Sequence, residues 1–343
     1  MKVVFTKRQL KHDPQTFFVS GSIVDHPEKP ERAARLLAAA LKSGLVAEEP
    51  RDAARPLLER LHTPRYLHYL ENIFPRWQSI AGGSAEVIPG IHPDRRDCGY
   101  PLSAAGQAGF HHADLSSPIN GDTWESALWS AHGAAHAAGL VLAGERSAYA
   151  LSRPPGHHAA RDYCAGFCYL ANCGVAAEAL LAGHRRVAVL DVDVHHGNGT
   201  QDVFYARGDV LTISMHADPA RFYPFFWGHA DETGSGDGEG CNLNLPLPRG
   251  TGDDDYLRVL DGAIDRIAEF GAGALVVALG LDAYEGDPLR GFAITRQGFA
   301  RIGRRIGELG LPTVLIQEGG YLSDELGLNL SAALEGFMET HGG

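Results

Sequence analysis

The sequence predicts an α/β fold: a single domain on a central, mainly parallel β-sheet flanked by helices, with a site at the C-terminal ends of the strands. Three observations predict it. Short apolar runs alternate with amphipathic stretches along the whole chain, the pattern of strand–helix–strand units. Several of these runs pass directly into a polar cluster, where open parallel sheets keep their sites. No internal repeat, low-complexity linker or shift of composition divides the 343 residues, so one domain is expected although the length would allow two.

The elements follow in order. Val3–Thr6 is the first strand. Pro30 stands just ahead of a helix over Glu31–Lys42, a good helix start. A second helix covers Pro64–Phe74. Gly82–Gln107 holds glycines and prolines with little periodicity and reads as a loop. A helix over Thr123–Ala143 leads into strand Ser147–Leu151. The helix Tyr169–Gly183 ends near His184, and strands Val187–Val192 and Val210–Ser214 follow. Ala217–Pro248, rich in Gly, Pro, aromatics and acids, is a second long loop. Helix Asp254–Phe270 closes at Gly271, a C′ glycine. Strand Ala274–Leu279, helix Thr295–Leu309, strand Thr313–Ile316 and helix Ser323–Glu339 complete the chain. Irregular stretches as long as these two are usually functional or contact another chain.

Composition narrows the function. A formal net charge of −12 argues against nucleic acid, whose phosphates need a basic face. With 44% hydrophobic residues and a mean hydropathy of −0.14, a soluble protein with a sizeable core is expected. No run reaches the roughly 18 apolar residues of a membrane span. The opening MKVVFTKRQLKHD has no signal-peptide core. Cys98, Cys164, Cys168, Cys173 and Cys241 make an odd count without CxxC, so reduced, mostly buried thiols and a cytoplasmic location are expected.

The polar clusters carry the chemistry. YALSRPPGHH ends in His157 and His158. VAVLDVDVHHGN runs through Asp191, Asp193, His195 and Asn198. VLTISMH ends in His216, ALVVALGLDAY carries Asp282, and TVLIQEGGY ends in Glu318–Tyr321. Five strand ends can converge on one place. Burying carboxylates and imidazoles is costly unless something compensates. Asp193 and His195, two apart, point to the same side of an extended backbone. With Asp282 they make two carboxylates and a neutral imidazole, which neutralise a divalent cation and leave a coordination position open, as in hydrolytic zinc sites. Water in such a site ionises near neutral pH. One of the paired histidines can accept a proton and the other can supply one to a leaving amine. Asp191 and Asn198 are the residues to set their tautomers, the carboxylate-paired ring having the higher pKa. Gly319–Gly320 allow a close turn that brings the Tyr321 phenol to an oxyanion.

These motifs together resemble the arginase–deacetylase superfamily, and within it the histone-deacetylase-like amidohydrolases: RPPGHH (153–158), GFCYLANC (166–173), DVDVHHGNGTQDVFY (191–205), SMH (214–216), LGLDAYEGDPL (279–289) and EGGY (318–321). The likeness runs from HPEKPERA (26–33) to GLNLSAALEGF (327–337). Residues 79–107 and SSPINGDTWESAL (116–128) are similar to the bacterial acetylpolyamine amidohydrolase branch. There an added loop, here at about 79–115 within a single catalytic domain spanning 1–343, shapes a homodimer and narrows the entrance. The resemblance implies the arginase–deacetylase fold and zinc on Asp193, His195 and Asp282, iron(II) or cobalt(II) also suiting that set. It implies His157 and His158 as acid and base, and Tyr321 as the carbonyl-polarising phenol. Gly166 would accept the substrate amide, Phe167 and Tyr223 would wall the channel, Gly320 would support it, and Arg32 would line an inner acetate pocket. Potassium would sit on Asp191 and Ser214, with carbonyls of Asp193, His195 and Met215; a second would use carbonyls around Phe204, Arg207 and Val210.

The chain departs from the polyamine-specific pattern at two places: Phe17 and Ala105 stand where acids read a distant ammonium. The expected activity is zinc-dependent deacetylation of N-acetylated primary amines, such as acetylpolyamines or related small acylamines. The alternatives are a protein lysine deacetylase, a binuclear ureohydrolase, which Gly197 at the place of a further carboxylate disfavours, and an inactive acetylamine sensor, which the complete acid–base set disfavours.

Overall fold

The computed structural model describes residues 1–95 and 97–341. Its elements are β1 (Lys2–Val4), β2 (Thr16–Val19), β3 (Ser22–Asp25), α1 (Pro30–Lys42), β4 (Val46–Glu48), α2 (Arg55–Leu61), α3 (Pro64–Gln78), α4 (Ala104–His111), α5 (Thr123–Leu142), β5 (Ser147–Ala150), α6 (Asn172–Leu180), β6 (Val187–Asp191), α7 (Asn198–Phe204), β7 (Val210–Ala217), β8 (Asn242–Leu247), α8 (Asp253–Phe270), β9 (Ala274–Leu279), α9 (Arg296–Gly307), β10 (Thr313–Gln317) and α10 (Leu326–His341).

Eight strands form one sheet in the order β4-β1-β5-β10-β9-β6-β7-β8, and every pairing in it is parallel. Strands β5, β6, β7, β9 and β10 are buried along their whole length. That is why they read as near-continuous apolar runs: a parallel sheet is covered on both faces. Side chains alternate between two cores. Along β6, Ala188 and Leu190 join Leu36, Leu260, Phe299 and Phe337 on one face, while Val187 and Val189 join Leu58, Tyr66 and Ala134 on the other. Helices start and stop as their sequences dictate. Pro30 opens α1, and the Thr63 side chain accepts from Tyr66 N–H at the start of α3. Three aspartates lie in the first turn of α8, and Gly271 closes it in the left-handed region.

All six expected strands and all seven expected helices are present, with ends moved by a few residues; Tyr169–Gly183 shortens to α6. Three short helices, α2, α4 and α7, and four strands were not expected. Both long loops lose residues to elements: 82–107 ends inside α4, and 217–248 contains β8. β2 and β3 pair antiparallel around Ser20 and Gly21, both at positive φ, the geometry of a two-residue hairpin turn.

Candidate active site

The site stands at the C-terminal ends of five adjacent strands, β5, β10, β9, β6 and β7. Segments following β6, β9 and β10 bring Asp193, His195, Asp282 and Tyr321 together, and the turn after β5 adds the histidine pair. His195 Nδ1 lies 3.1 Å from Asp193 Oδ1 and 3.1 Å from Asp282 Oδ2. Ligands of a tetrahedral ion with bonds of about 2.0 Å stand about 3.3 Å apart, so the three atoms have ligand spacing. Both carboxylates are fully buried. Each is oriented by a backbone donor on its other side or oxygen: Gly319 N–H donates to Asp193 Oδ2 at 2.8 Å, and Val194 N–H to Asp282 Oδ1 at 3.1 Å. A side chain at 319 would not fit, since its Cβ would fall 2.2 Å from Asp282 Oδ2 and 2.5 Å from Asp193 Oδ2.

The electrostatics of this triad point to a cation. Burial opposes charge on Asp193, yet His157 and His195 hold its carboxyl below the usual range. Burial, with Asp193 alongside, pushes Asp282 up. Burial also opposes a proton on His195, but hydrogen bonds to Asp193 and Asp282 outweigh it and raise the ring to about 9. A proton on Nδ1 thus stands where two carboxylates and an imidazole would hold a divalent ion. The donor set and spacing fit a metal.

The pairing of the two histidines is His157 with Asp191 and His158 with Asn198. His157 Nδ1 donates to Asp191 Oδ2 at 2.9 Å, and His158 Nδ1 to Asn198 Oδ1 at 2.6 Å. The rings lie 4.0 Å apart. Burial disfavours a charged His157, but Asp193, Asp191 and Glu318 together raise it well above the ordinary imidazole value. Burial, and the charges of His157 and His195, hold His158 well below it. His158 is therefore the neutral ring, with Nε2 unbonded among the described residues.

A cavity of about 390 Å³ opens over the triad. Gly166, Phe167, Tyr223 and Tyr321 line it with His158 and His195. Gly166 has φ +53°, and a Cβ there would meet His158 Cδ2 at 2.2 Å, so only glycine allows this approach. Burial first, then Asp282, pushes the Tyr321 phenol up, which keeps it a proton donor. Arg32 and Gly320 do not line this cavity. Arg32 is buried behind Tyr321, its Cζ 4.9 Å from the ring centroid, and donates to Gly320 O at 2.6 Å, Glu318 O at 2.9 Å and Glu28 Oε1 at 2.6 Å. Phe17 lines the cavity with its ring 5.3 Å from Phe167, whereas Ala105 lies exposed in α4. Asp191 and Ser214 are register partners on β6 and β7, and Met215 follows, fully buried. Phe204, Arg207 and Val210 fall at the α7–β7 connection.

Sequence reasoning missed the residues that hold this arrangement from afar. Asp114 Oδ2 accepts from Gly166 N–H and from Tyr223 hydroxyl. Ser117 Oγ accepts from Phe167 N–H. Asp287 Oδ2 accepts from Tyr321 N–H. Glu28 pairs with both Arg32 and Arg153; it lies within HPEKPERA, but nothing local marks its partners. Glu318, which the sequence places in the EGGY cluster without a role of its own, is pushed to about 7 by burial and accepts from Gly156 and His157 N–H. With His157 and Cys168 it forms a second group of ligand-capable side chains, but its oxygens are taken by those amides and by the Cys173 thiol. Cys164, Cys168 and Cys173 are buried, and Cys98 is exposed. No helix among the described residues is long and apolar enough to cross a membrane.

Residues 26–337 match the histone deacetylase domain family. The chain is 43% identical over 343 residues to an acetylpolyamine amidohydrolase of Burkholderia pseudomallei (strain 1710b), covering all of both chains. It is 41% identical over 340 residues to the acetylpolyamine amidohydrolase of Mycoplana ramosa, covering 98% of this chain and 99% of that one. The crystal structure of an acetylpolyamine aminohydrolase from Burkholderia pseudomallei superposes with a TM-score of 0.96 at 43% identity, covering 98% of each chain.

Proposed function

Since this chain belongs to the histone deacetylase domain family and is a hydrolytic deacetylase, we propose that it removes acetyl from small N-acetylated primary amines, acetylpolyamines and related acylamines, with zinc held by Asp193, His195 and Asp282. The observation that carries this reading is the convergence of those three side chains beneath a cavity lined by His158 and Tyr321. A divalent ion there, when bound, supplies Lewis acidity to an amide carbonyl and lowers the pKa of water.

The chain's own residues do the rest. Phe167 and Tyr223 flank the acyl amine, and the Gly166 carbonyl accepts its amide N–H. His158, neutral and open at Nε2, accepts the proton of the attacking water. His157, kept cationic by Asp191, holds a positive charge beside the reacting carbonyl, and the proton gathered by the pair passes to the leaving amine. The Tyr321 hydroxyl donates to the oxyanion formed as the carbonyl is attacked. Arg32 positions that phenol by gripping the Gly320 and Glu318 carbonyls.

Potassium on Asp191 and Ser214 would stiffen the adjacent strand ends; their register supports it. A homodimer is supported by Ile91 and Leu102, 70% and 89% exposed within the inserted stretch. An odd number of cysteines without a CxxC pair favours a cytoplasmic setting. Relatives of matching length named for acetylpolyamines favour small amines over protein lysines.

The test is acetate release from N-acetylputrescine and from an acetyl-lysine peptide by chelator-treated enzyme, with and without added zinc, iron(II) or cobalt(II). Restoration by metal and preference for the small amine are expected. Full activity after chelation, or faster cleavage of the peptide, contradicts the reading.

A further inference from the structure

We infer that the far ammonium of the acetylated amine is held at the cavity mouth by the faces of aromatic rings, with Phe17 and Phe225 as the residues that set this preference. The inference rests on the deacetylase reading and adds the chemistry that recognises the tail of the substrate.

Two ladders of rings lead from the reacting groups to the mouth. On one wall Tyr321 meets Phe167 edge to face, centroids 5.8 Å apart and planes at 84°, and Phe167 meets Phe17 at 5.3 Å and 76°. On the other wall His158 meets Tyr223 at 5.1 Å and 89°, and Tyr223 meets Phe225 at 6.3 Å and 82°. All of these rings line the cavity. The inner ones surround the acyl amide. Phe17 and Phe225 stand one step further out, Phe17 half-buried and Phe225 51% exposed. Phe167 and Phe225 hold φ at +70° and +63°. That region is costly for a bulky side chain, and such residues gather where a fold fixes a group for binding.

The walls offer the ammonium no free carboxylate. Among the described residues that line the cavity, the one carboxylate is that of Asp114. Its Oδ1 receives Ser116 N–H at 2.9 Å and Ser116 hydroxyl at 2.6 Å, and its Oδ2 receives Gly166 N–H at 3.1 Å and Tyr223 hydroxyl at 2.5 Å. A carboxylate has about four acceptor positions, and these donors fill them. Arg221 also lines the mouth and is exposed. Asp218, whose carbonyl accepts from Arg221 N–H at 3.0 Å, puts the opposite charge in the same turn. Exposed charges of this kind are weak and screened by salt. A ring face attracts a cation through its quadrupole, needs no free acceptor and leaves the ammonium N–H groups to water. An acetylated diamine fits this order of surfaces: acyl group at the triad, methylenes between the inner rings, ammonium between Phe17 and Phe225.

The test compares kcat/KM, with metal-replete enzyme, for two isosteric pairs of acetamides. One pair is N-acetyl-1,5-diaminopentane and N-hexylacetamide. The other is the trimethylammonium derivative of the first compound and N-(6,6-dimethylheptyl)acetamide. The cation should be cleaved faster in both pairs, since a ring face attracts a cation whether or not it can donate hydrogen bonds. Phe17→Leu and Phe225→Leu keep an apolar side chain and remove a ring. Each should lower the cation-to-neutral ratio about two- to fivefold in both pairs. Ratios within one variant cancel any loss of folded enzyme. A preference that vanishes on methylation assigns the ammonium to hydrogen-bond acceptors and overturns the inference, as does an unchanged ratio in either leucine variant. Cleavage of cation and neutral isostere at one rate overturns it while the deacetylase reading stands. Failure to cleave any of these acetamides overturns that reading, and this inference with it.

Discussion

A metal that takes up Asp193, His195 and Asp282 has to displace a proton, and this sets a measurable pH dependence. Without metal, the two carboxylates 3.1 Å from Nδ1 raise His195 to about 9. Metal ligation requires the neutral ring. The sign follows: below a pKa of about 9 the proton competes, so apparent affinity falls as pH falls. At pH 7 roughly one ring in a hundred is neutral, and at pH 6 roughly one in a thousand. Affinity should therefore rise about tenfold per unit, about 100-fold or ~2.7 kcal/mol over two units. Cobalt(II) titrated against a competing chelator, followed by visible absorption, gives affinity at each pH. Calorimetry in two buffers of different ionisation enthalpy gives the protons released, about one or more per ion. His195→Gln should weaken binding and flatten the slope. A flat profile in the unaltered enzyme, with no proton released, would refute the reasoning.

Other outcomes are expected on the same grounds. Tyr321→Phe should lower kcat about 10²–10³-fold with little change in KM, the usual cost of one oxyanion donor, measured as steady-state acetate release. Gly319→Ala would drive a methyl to within 2.5 Å of both metal-facing carboxylates; chelator competition should show metal affinity down at least about tenfold. Glu28→Gln leaves the buried guanidiniums of Arg32 and Arg153 without their anion. Breaking such a buried pair costs roughly 3–5 kcal/mol, which scanning calorimetry should register as about 5 °C in Tm.

The sheet and the reactive residues were legible because their signals are local. A doubly covered strand must be apolar from end to end, so β6, β9 and β10 announced themselves. Asp193 and His195, or Glu318 and Tyr321, lie within a few residues of a strand end. Elements without such a pattern were missed. β8 carries Asn242 and Asn244 inward and Pro246 in its run, and its amides are bonded by residues of other segments, among them Gln201, Thr212 and Glu232. α7 begins Asn-Gly-Thr, which reads as a turn, and α4 carries two glycines among its eight residues.

The supporting contacts were illegible for a different reason. Arg32 reaches Gly320 across 288 positions, and Tyr223 reaches Asp114 across 109. No spacing rule links residues so far apart, because their meeting depends on where whole strands and loops lie. Arg32 in particular moves from a pocket wall to a clamp behind Tyr321 once the chain is folded. The sequence by itself determined the parallel sheet, the strand ends that bear chemistry and the kinds of group placed there, since apolar periodicity and short motifs are properties of neighbours along the chain. Only the tertiary structure decided which histidine meets the carboxylate, that Asp114 ties Gly166 to Tyr223 and that Arg32 stands behind Tyr321, since each depends on distances between segments that the chain brings together only on folding.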